Sequence, residues 1–147
     1  MSGINDNMVL RLSLIDIKET GFSIRPDLRE SDVDKVEWMI GFRPVPIDVE
    51  NQIAVEVRSV ALNGDSRIEV ASCSVMVTFN VENMSAFVTK ESDMRINIKD
   101  SLMLNMLNPA CGTLRGVMYA RFSGTLLGRK PLPLIDVVTM IKTTNRL

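Results

Sequence analysis

The chain has 147 residues, a formal net charge of −1 and no histidine, with 46% hydrophobic and 24% charged residues. This length predicts a single domain over residues 1–147 that folds without a disulfide or a metal. The balance of charge argues against nucleic acid as the main partner, because binding phosphates needs a basic excess. The lack of histidine excludes His-dependent catalytic triads and His-ligated metal sites.

Alternating apolar and polar residues predict strands through the first half of the chain. The alternation begins at Leu10 and changes phase between Leu14 and Ile15, which predicts a first strand with a bulge. Residues 25–35 are polar and predict a loop. Further strands are expected over residues 36–49, 53–62 and 68–83. Together they predict an antiparallel meander of about four strands, with one apolar face that needs a cover.

Prolines and a turn motif indicate how these strands are arranged. Pro44 and Pro46 interrupt the second strand, which predicts an edge or a bend. Asn63-Gly64-Asp65 predicts a tight turn between the third and fourth strands. The first strand is apolar on both phases, which predicts cover on both of its faces, as in an interior or subunit contact.

The second half of the chain predicts a long helix. Residues 98–107 and the stripe from Ala110 to Phe122 have helical spacing, and Asn108-Pro109 marks either a continuation or a restart with a kink. Gly124 is a predicted helix stop. The apolar run around Pro131 and Pro133 follows. Residues 137–147 predict one or two further helical turns.

Little in the sequence indicates catalysis. There is no GxGxxG, P-loop or HExxH motif, and the carboxylates Glu30, Asp32 and Asp34 are expected to be solvated. Cys73 and Cys111 are expected to be buried thiols. We therefore predict no enzyme, no cofactor, and no catalytic or metal site. No apolar run reaches the ~18 residues of a membrane span, and MSGINDNM lacks the features of a secretory signal, so a cytoplasmic location is expected, peripheral to a membrane at most.

The segment MLNPACGTLRGVMYARFSGT, residues 106–125, is followed by PLPLIDV, residues 131–137. A proline-containing helix followed by a leucine- and proline-rich crossover loop resembles the SecB family of protein-export chaperones. The resemblance implies an α+β fold in which a four-stranded antiparallel sheet is covered by a kinked helix, with the crossover loop and a short C-terminal element. It also implies an ATP-independent holdase for unfolded polypeptide, acting as a homo-dimer or homo-tetramer that can dock on a SecA-type motor.

The resemblance also suggests which residues would act. Apolar side chains of the loop and several methionines would hold clients, since methionine adapts to varied surfaces; these are Leu126, Leu127, Leu132, Leu134, Ile135, Met84, Met94, Met103 and Met106. Asp16 and Glu69 match acidic family positions that contact the motor. The leucines have a second interpretation, in which they pack on the protein's own sheet.

Two other functions stay open at the level of sequence. An adaptor of the same fold would recognise one specific partner, such as an antitoxin. A small-molecule binder or enzyme would use the apolar cleft, although no convergent set of polar residues supports it. The ten methionines are compatible with a plain core as well as with a binding surface.

Overall fold

The computed structural model describes residues 9–92 and 95–143. Its strands are β1 (Leu12–Ile24), β2 (Val36–Pro46), β3 (Gln52–Asn63), β4 (Glu69–Val81), β5 (Val88–Ser92) and β6 (Arg95–Ile98). Its helices are α1 (Glu30–Asp34), α2 (Asp100–Phe122) and α3 (Val137–Lys142). None of the helices within these ranges is long and apolar enough to cross a membrane.

The four long strands form one antiparallel sheet in the order β1-β4-β3-β2. The predicted set of four strands is confirmed, but the meander is wrong, because β1 pairs with β4 instead of β2. Strands β2, β3 and β4 follow one another as hairpins, and β1 lies beside the last of them, which is a Greek-key arrangement. The segment between Ile24 and Val36, which includes α1, carries the chain from one sheet edge to the other.

Local details of the sheet follow the sequence closely. The pairing of β1 with β4 shifts between Leu14 and Asp16, which leaves Ile15 without a partner and confirms the predicted bulge. Pro44 and Pro46 lie in β2, an outer strand of the sheet, where a missing amide hydrogen costs no interior ladder bond. Leu14, Ile15 and Ile17 of β1 are each about half exposed, so the predicted cover on both faces of β1 is not supplied by this chain.

Helix α2 covers one face of the sheet and supplies much of the core. Its buried residues are Leu102, Met103, Met106, Leu107, Ala110, Cys111, Leu114, Met118 and Phe122. The helix continues through Pro109, which is one of the two predicted outcomes, and the alternative role of Asn108 as an N-cap is wrong. Pro109 removes one backbone hydrogen bond. The apolar stripe runs through this position unbroken, and its packing on the sheet holds the helix together. Gly124, with φ of 81°, follows the helix end as predicted.

The opposite face of the sheet, here called the polar face, carries charged side chains. Arg43 of β2 pairs with Glu56 of β3 at 2.8 Å, and Arg58 lies 3.8 Å from Glu69. These residues alternate with the core residues Phe42, Val55 and Val57, as a sheet with one buried face requires.

The hairpin of β5 and β6 was not predicted from the sequence. Phe87 precedes it and Ile98 ends it, and both side chains are buried in the core. The amide of Lys99 donates a hydrogen bond of 2.8 Å to the Phe87 carbonyl oxygen, which closes the hairpin just before α2 begins. The polar residues 89–92 hid the strand signal, because this short hairpin is mostly exposed.

The β3–β4 turn requires glycine at position 64. The Gly64 amide donates to the Lys35 carbonyl oxygen at 2.8 Å, and a Cβ at this position would lie 2.5 Å from that backbone oxygen. We expect Gly64→Ala to lower the free energy of unfolding by about 1–3 kcal/mol, measured by urea denaturation. Gly112→Ala, where a Cβ meets nothing within 4 Å, should instead stabilise α2 by about 0.5–1 kcal/mol. Equal effects of the two substitutions would contradict the close approach at Gly64.

Candidate functional site

The crossover segment, residues 123–136, runs from the end of α2 to the start of α3. It leaves the helix at Gly124, forms a 3-10 turn over Leu126–Arg129, and then stays extended because Pro131 and Pro133 cannot donate helical hydrogen bonds. The Arg115 guanidinium on α2 donates a hydrogen bond of 3.0 Å to the Pro133 carbonyl oxygen. The segment therefore lies alongside the last turns of α2 and is fastened there.

One cavity, the strand-side groove, lies between the crossover segment and β2. It has a volume of about 260 Å³ and is lined mainly by Trp38, Ile40, Leu134, Ile135 and Met140. Trp38 is half-buried, and its ring centroid lies 6.2 Å from that of Phe122. The groove thus combines an aromatic side chain from the sheet edge with aliphatic side chains from the loop.

A second cavity, the helix-side groove, lies between the crossover segment and the last turns of α2. It has a volume of about 320 Å³. Met118, Phe122 and Leu127 form its apolar floor, Tyr119 stands exposed beside it, and basic side chains also line it. The two grooves place apolar surface on both sides of one short loop.

The structure divides the predicted client-binding loop residues between surface and interior. Leu134 is 92% exposed, and Leu126 and Ile135 are half-buried. Leu127 and Leu132 are buried, although small parts of both reach the helix-side groove. The predicted groove wall and the alternative of packing on the protein's own core therefore each describe part of this loop, and client binding itself stays a prediction.

The predicted client-binding methionines lie elsewhere. Met103 and Met106 are fully buried between α2 and the sheet, so their assignment to a surface needs correction: they are core side chains in this chain. Met84 is half-buried and packs against the core near the end of β4. Met94 lies outside the described residues. Helical spacing placed Met103 and Met106 on one face of α2, but only packing decided that this face is the covered one.

The predicted docking residues Asp16 and Glu69 are both exposed on the polar face. Asp16 pairs across β1 and β4 with Thr78, nine residues along β4 from Glu69. They are therefore about 30 Å apart, at ~3.3 Å per residue of strand. At this distance Asp16 and Glu69 do not belong to one local site. Their role in docking a motor stays a prediction.

Sequence reasoning did not identify Trp38, Ile40, Tyr119 or Phe122 as groove residues. Trp38 and Ile40 were recognised only as alternating strand residues, and Phe122 only as part of the helix stripe. One signal was available: Tyr119 is a large aromatic residue on the otherwise polar side of α2 and is 78% exposed. Single exposed apolar side chains are common on protein surfaces, so Tyr119 indicates a contact surface only together with the groove beside it.

The two thiols are buried, as predicted. Burial raises the pKa of Cys73 and of Cys111 to about 11. Both are therefore protonated at neutral pH and behave as small apolar side chains, because the thiolate is the reactive form of cysteine. They offer no nucleophile to either groove.

Asp136 joins the crossover segment to α3 as its N-cap. The Thr139 hydroxyl donates to one carboxylate oxygen at 2.7 Å and the Thr139 amide to the other at 3.2 Å. These hydrogen bonds hold the pKa of Asp136 below its ordinary value of 3.8. The cap keeps the last residues of the strand-side groove, including Met140, in place.

We expect this cap to be sensitive to acid. Because the folded pKa is lower than the unfolded one, its contribution to stability is present above about pH 4 and is lost as pH falls through the folded pKa. Asp136→Ala should therefore lower the Tm at pH 7, and the difference from the wild type should narrow on acidification. Thermal unfolding followed by circular dichroism across this range tests it; a difference that does not change with pH would contradict the role of the ionised carboxylate.

No protein-family profile matches the chain, and no curated protein matches it in sequence. A solved structure is similar: the Mycobacterium tuberculosis Rv1957 SecB-like chaperone in complex with a ChAD peptide from the Rv1956 HigA1 antitoxin. The TM-score is 0.52 with 10% sequence identity, over 85% of this chain and 91% of that chain. With the sheet and the covering helix described above, this similarity assigns the chain a SecB-like fold.

Proposed function

We propose that this protein is an ATP-independent chaperone that holds unfolded polypeptide in the two grooves beside the crossover segment. The observation that carries the proposal is Leu134, a leucine that is 92% exposed at the edge of an apolar groove. The loop containing Pro133 holds this large apolar side chain in water, so covering it with a client polypeptide lowers the free energy and favours binding. The proposal needs no catalytic group and no cofactor.

Weak contacts would suffice for such a holdase. Each groove offers only a few apolar side chains, so one segment of a client would bind weakly and with little sequence selectivity. Several grooves that engage one client raise the effective concentration of the remaining segments without any new contact. Grooves repeated in an oligomer would therefore strengthen the binding of long unfolded chains over that of short peptides.

We extend the proposal to a homo-oligomer in which the outer strand β1 pairs with a second copy. Leu14, Ile15 and Ile17 lie on β1 and are about half exposed, and an unpaired edge with apolar side chains favours strand addition. Light scattering should then give the mass of a dimer or tetramer. Ile17→Lys should shift the protein toward monomer, and a wild-type monomer at high concentration would contradict this extension.

A second candidate is an adaptor for one specific partner. The observation in its favour is the structural neighbour, which was solved with a peptide from an antitoxin. Both functions would use a polypeptide ligand, and they differ in selectivity.

Aggregation of several unrelated denatured proteins, followed by light scattering with and without near-stoichiometric amounts of this protein, separates the two functions. A holdase suppresses the aggregation of most of them. An adaptor suppresses none and captures only its partner. Suppression that requires ATP would contradict the proposed mechanism.

A further inference from the structure

We infer that the helix-side groove selects client segments in which apolar side chains are flanked by carboxylates. This inference rests on the proposed function and specifies the chemical class of the polypeptide bound there. It comes from the charges around one cavity, whose apolar floor is Met118, Phe122 and Leu127 and whose other lining residues include Arg115, Arg129 and Lys130.

The charge on this groove has one sign. Among the described residues that line it, three are basic and none is aspartate or glutamate. A neighbouring cavity, which shares Gly124, Thr125 and Arg129 with it, has Arg25 and Arg129 in its lining and again no acidic residue. The chain as a whole has 17 basic and 18 acidic residues, so this local excess does not follow from composition.

Part of this positive charge is available to a ligand. Arg25 lies 3.3 Å from Asp27 in a pair that is partly exposed. Arg129 lies 3.7 Å from Glu30, and both of these two side chains are largely exposed. Water and salt therefore weaken the two ion pairs. Arg115 donates to the neutral Pro133 carbonyl oxygen and keeps its charge. Within residues 9–92 and 95–143, no carboxylate lies within 4.0 Å of the basic groups of Arg115 or Lys130.

An acidic residue near the end of α2, Glu19, is already paired with another cation. Glu19 of β1 pairs with Arg121 at 3.0 Å, and the Arg121 guanidinium also stacks 4.1 Å from the centroid of the Phe22 ring. That arrangement holds Glu19 against the end of α2 and matches it with its own cation. The groove therefore keeps a net positive edge contributed by Arg115 and Lys130.

The apolar floor and the basic edge of this groove together determine which client segments can bind there. An aliphatic or aromatic side chain can enter the cavity of about 320 Å³ and leave water. Acidic residues beside it in the sequence would then meet Arg115 and Lys130, whereas basic residues would be repelled. Because such pairs lie near solvent, we expect roughly a fivefold preference, which high salt removes.

The test uses three labelled peptides that share one apolar core and are flanked by glutamate, serine or lysine. Fluorescence anisotropy with the full chain should give the tightest binding for the glutamate peptide and the weakest for the lysine peptide at low salt. Lys130→Gln should reduce the preference for glutamate by about half on a logarithmic scale. Lys90→Gln, on β5 near the other end of the 23-residue helix α2, is the matched control and should leave all three affinities unchanged.

Each other outcome overturns the inference. Equal affinities for the three peptides, or a preference for lysine, would overturn it while leaving the holdase proposal intact. Binding of none of the peptides, together with no suppression of aggregation, would overturn both. If the three peptides bind equally and are displaced by a fatty carboxylate such as decanoate, the groove binds that carboxylate instead. If they bind equally and are displaced when the chain associates with a second copy of itself, the groove is a contact between copies.

Discussion

Leu134→Ser is expected to weaken the binding of unfolded polypeptide about tenfold or more while leaving the Tm unchanged. Leu134 is 92% exposed in the free protein, so its removal costs the fold almost nothing. If a client covers this side chain, the lost burial is worth about 1.5–3 kcal/mol, and 1.4 kcal/mol is roughly a factor of ten in affinity. Isothermal titration with a permanently unfolded client, together with thermal unfolding of both proteins, measures the two effects.

The matched control for this prediction is Val49→Ser. Val49 lies in the β2–β3 connection, is 52% exposed, and does not line either groove. This control should bind clients as the wild type does. If Leu134→Ser binds as tightly as the control, then the crossover segment is not the client-contacting surface, whatever the oligomeric state of the protein.

Met106→Ala is expected to lower the free energy of unfolding by about 2–5 kcal/mol, which corresponds to a fall in Tm of roughly 5–15 °C. Met106 is 0% exposed between α2 and the sheet, so truncation removes buried apolar contacts and leaves a cavity. Urea denaturation measures the change, and an unchanged slope against urea would show that both states keep their compactness.

Met39→Ala provides a comparison with the same chemistry at a different place. Met39 lies on β2 with 54% exposure, and its substitution should change stability by no more than about 0.5 kcal/mol. The contrast separates the two interpretations that the ten methionines allow from sequence alone. If Met106→Ala proved neutral for stability but weakened client binding, the original assignment of Met106 to a binding surface would be restored.

The candidate site was only partly predictable, and the crossover segment illustrates why. Leu132 and Leu134 flank the same proline, yet Leu132 is buried and Leu134 projects into water. In a straight extended chain, residues i and i+2 point to the same side. Here Pro133 and the hydrogen bond from Arg115 to its carbonyl oxygen bend the backbone, so the alternation of apolar residues does not predict which leucine is buried. Trp38, which lines the strand-side groove together with Leu134, is almost 100 residues away in sequence.

The sequence by itself determined the main elements of this protein, which are the long strands, the bulge at Ile15, the long apolar stripe of α2 and the helix stop at Gly124, but not the short helix α1 or the β5–β6 hairpin. Those features depend on neighbours within a few residues, because backbone sterics and the periods of strand and helix act locally. Only the tertiary structure decided that β1 pairs with β4, that Met103 and Met106 are core residues, and that two grooves flank the crossover segment. These outcomes depend on contacts between distant parts of the chain, where competition for buried surface selects one arrangement among several with the same local pattern.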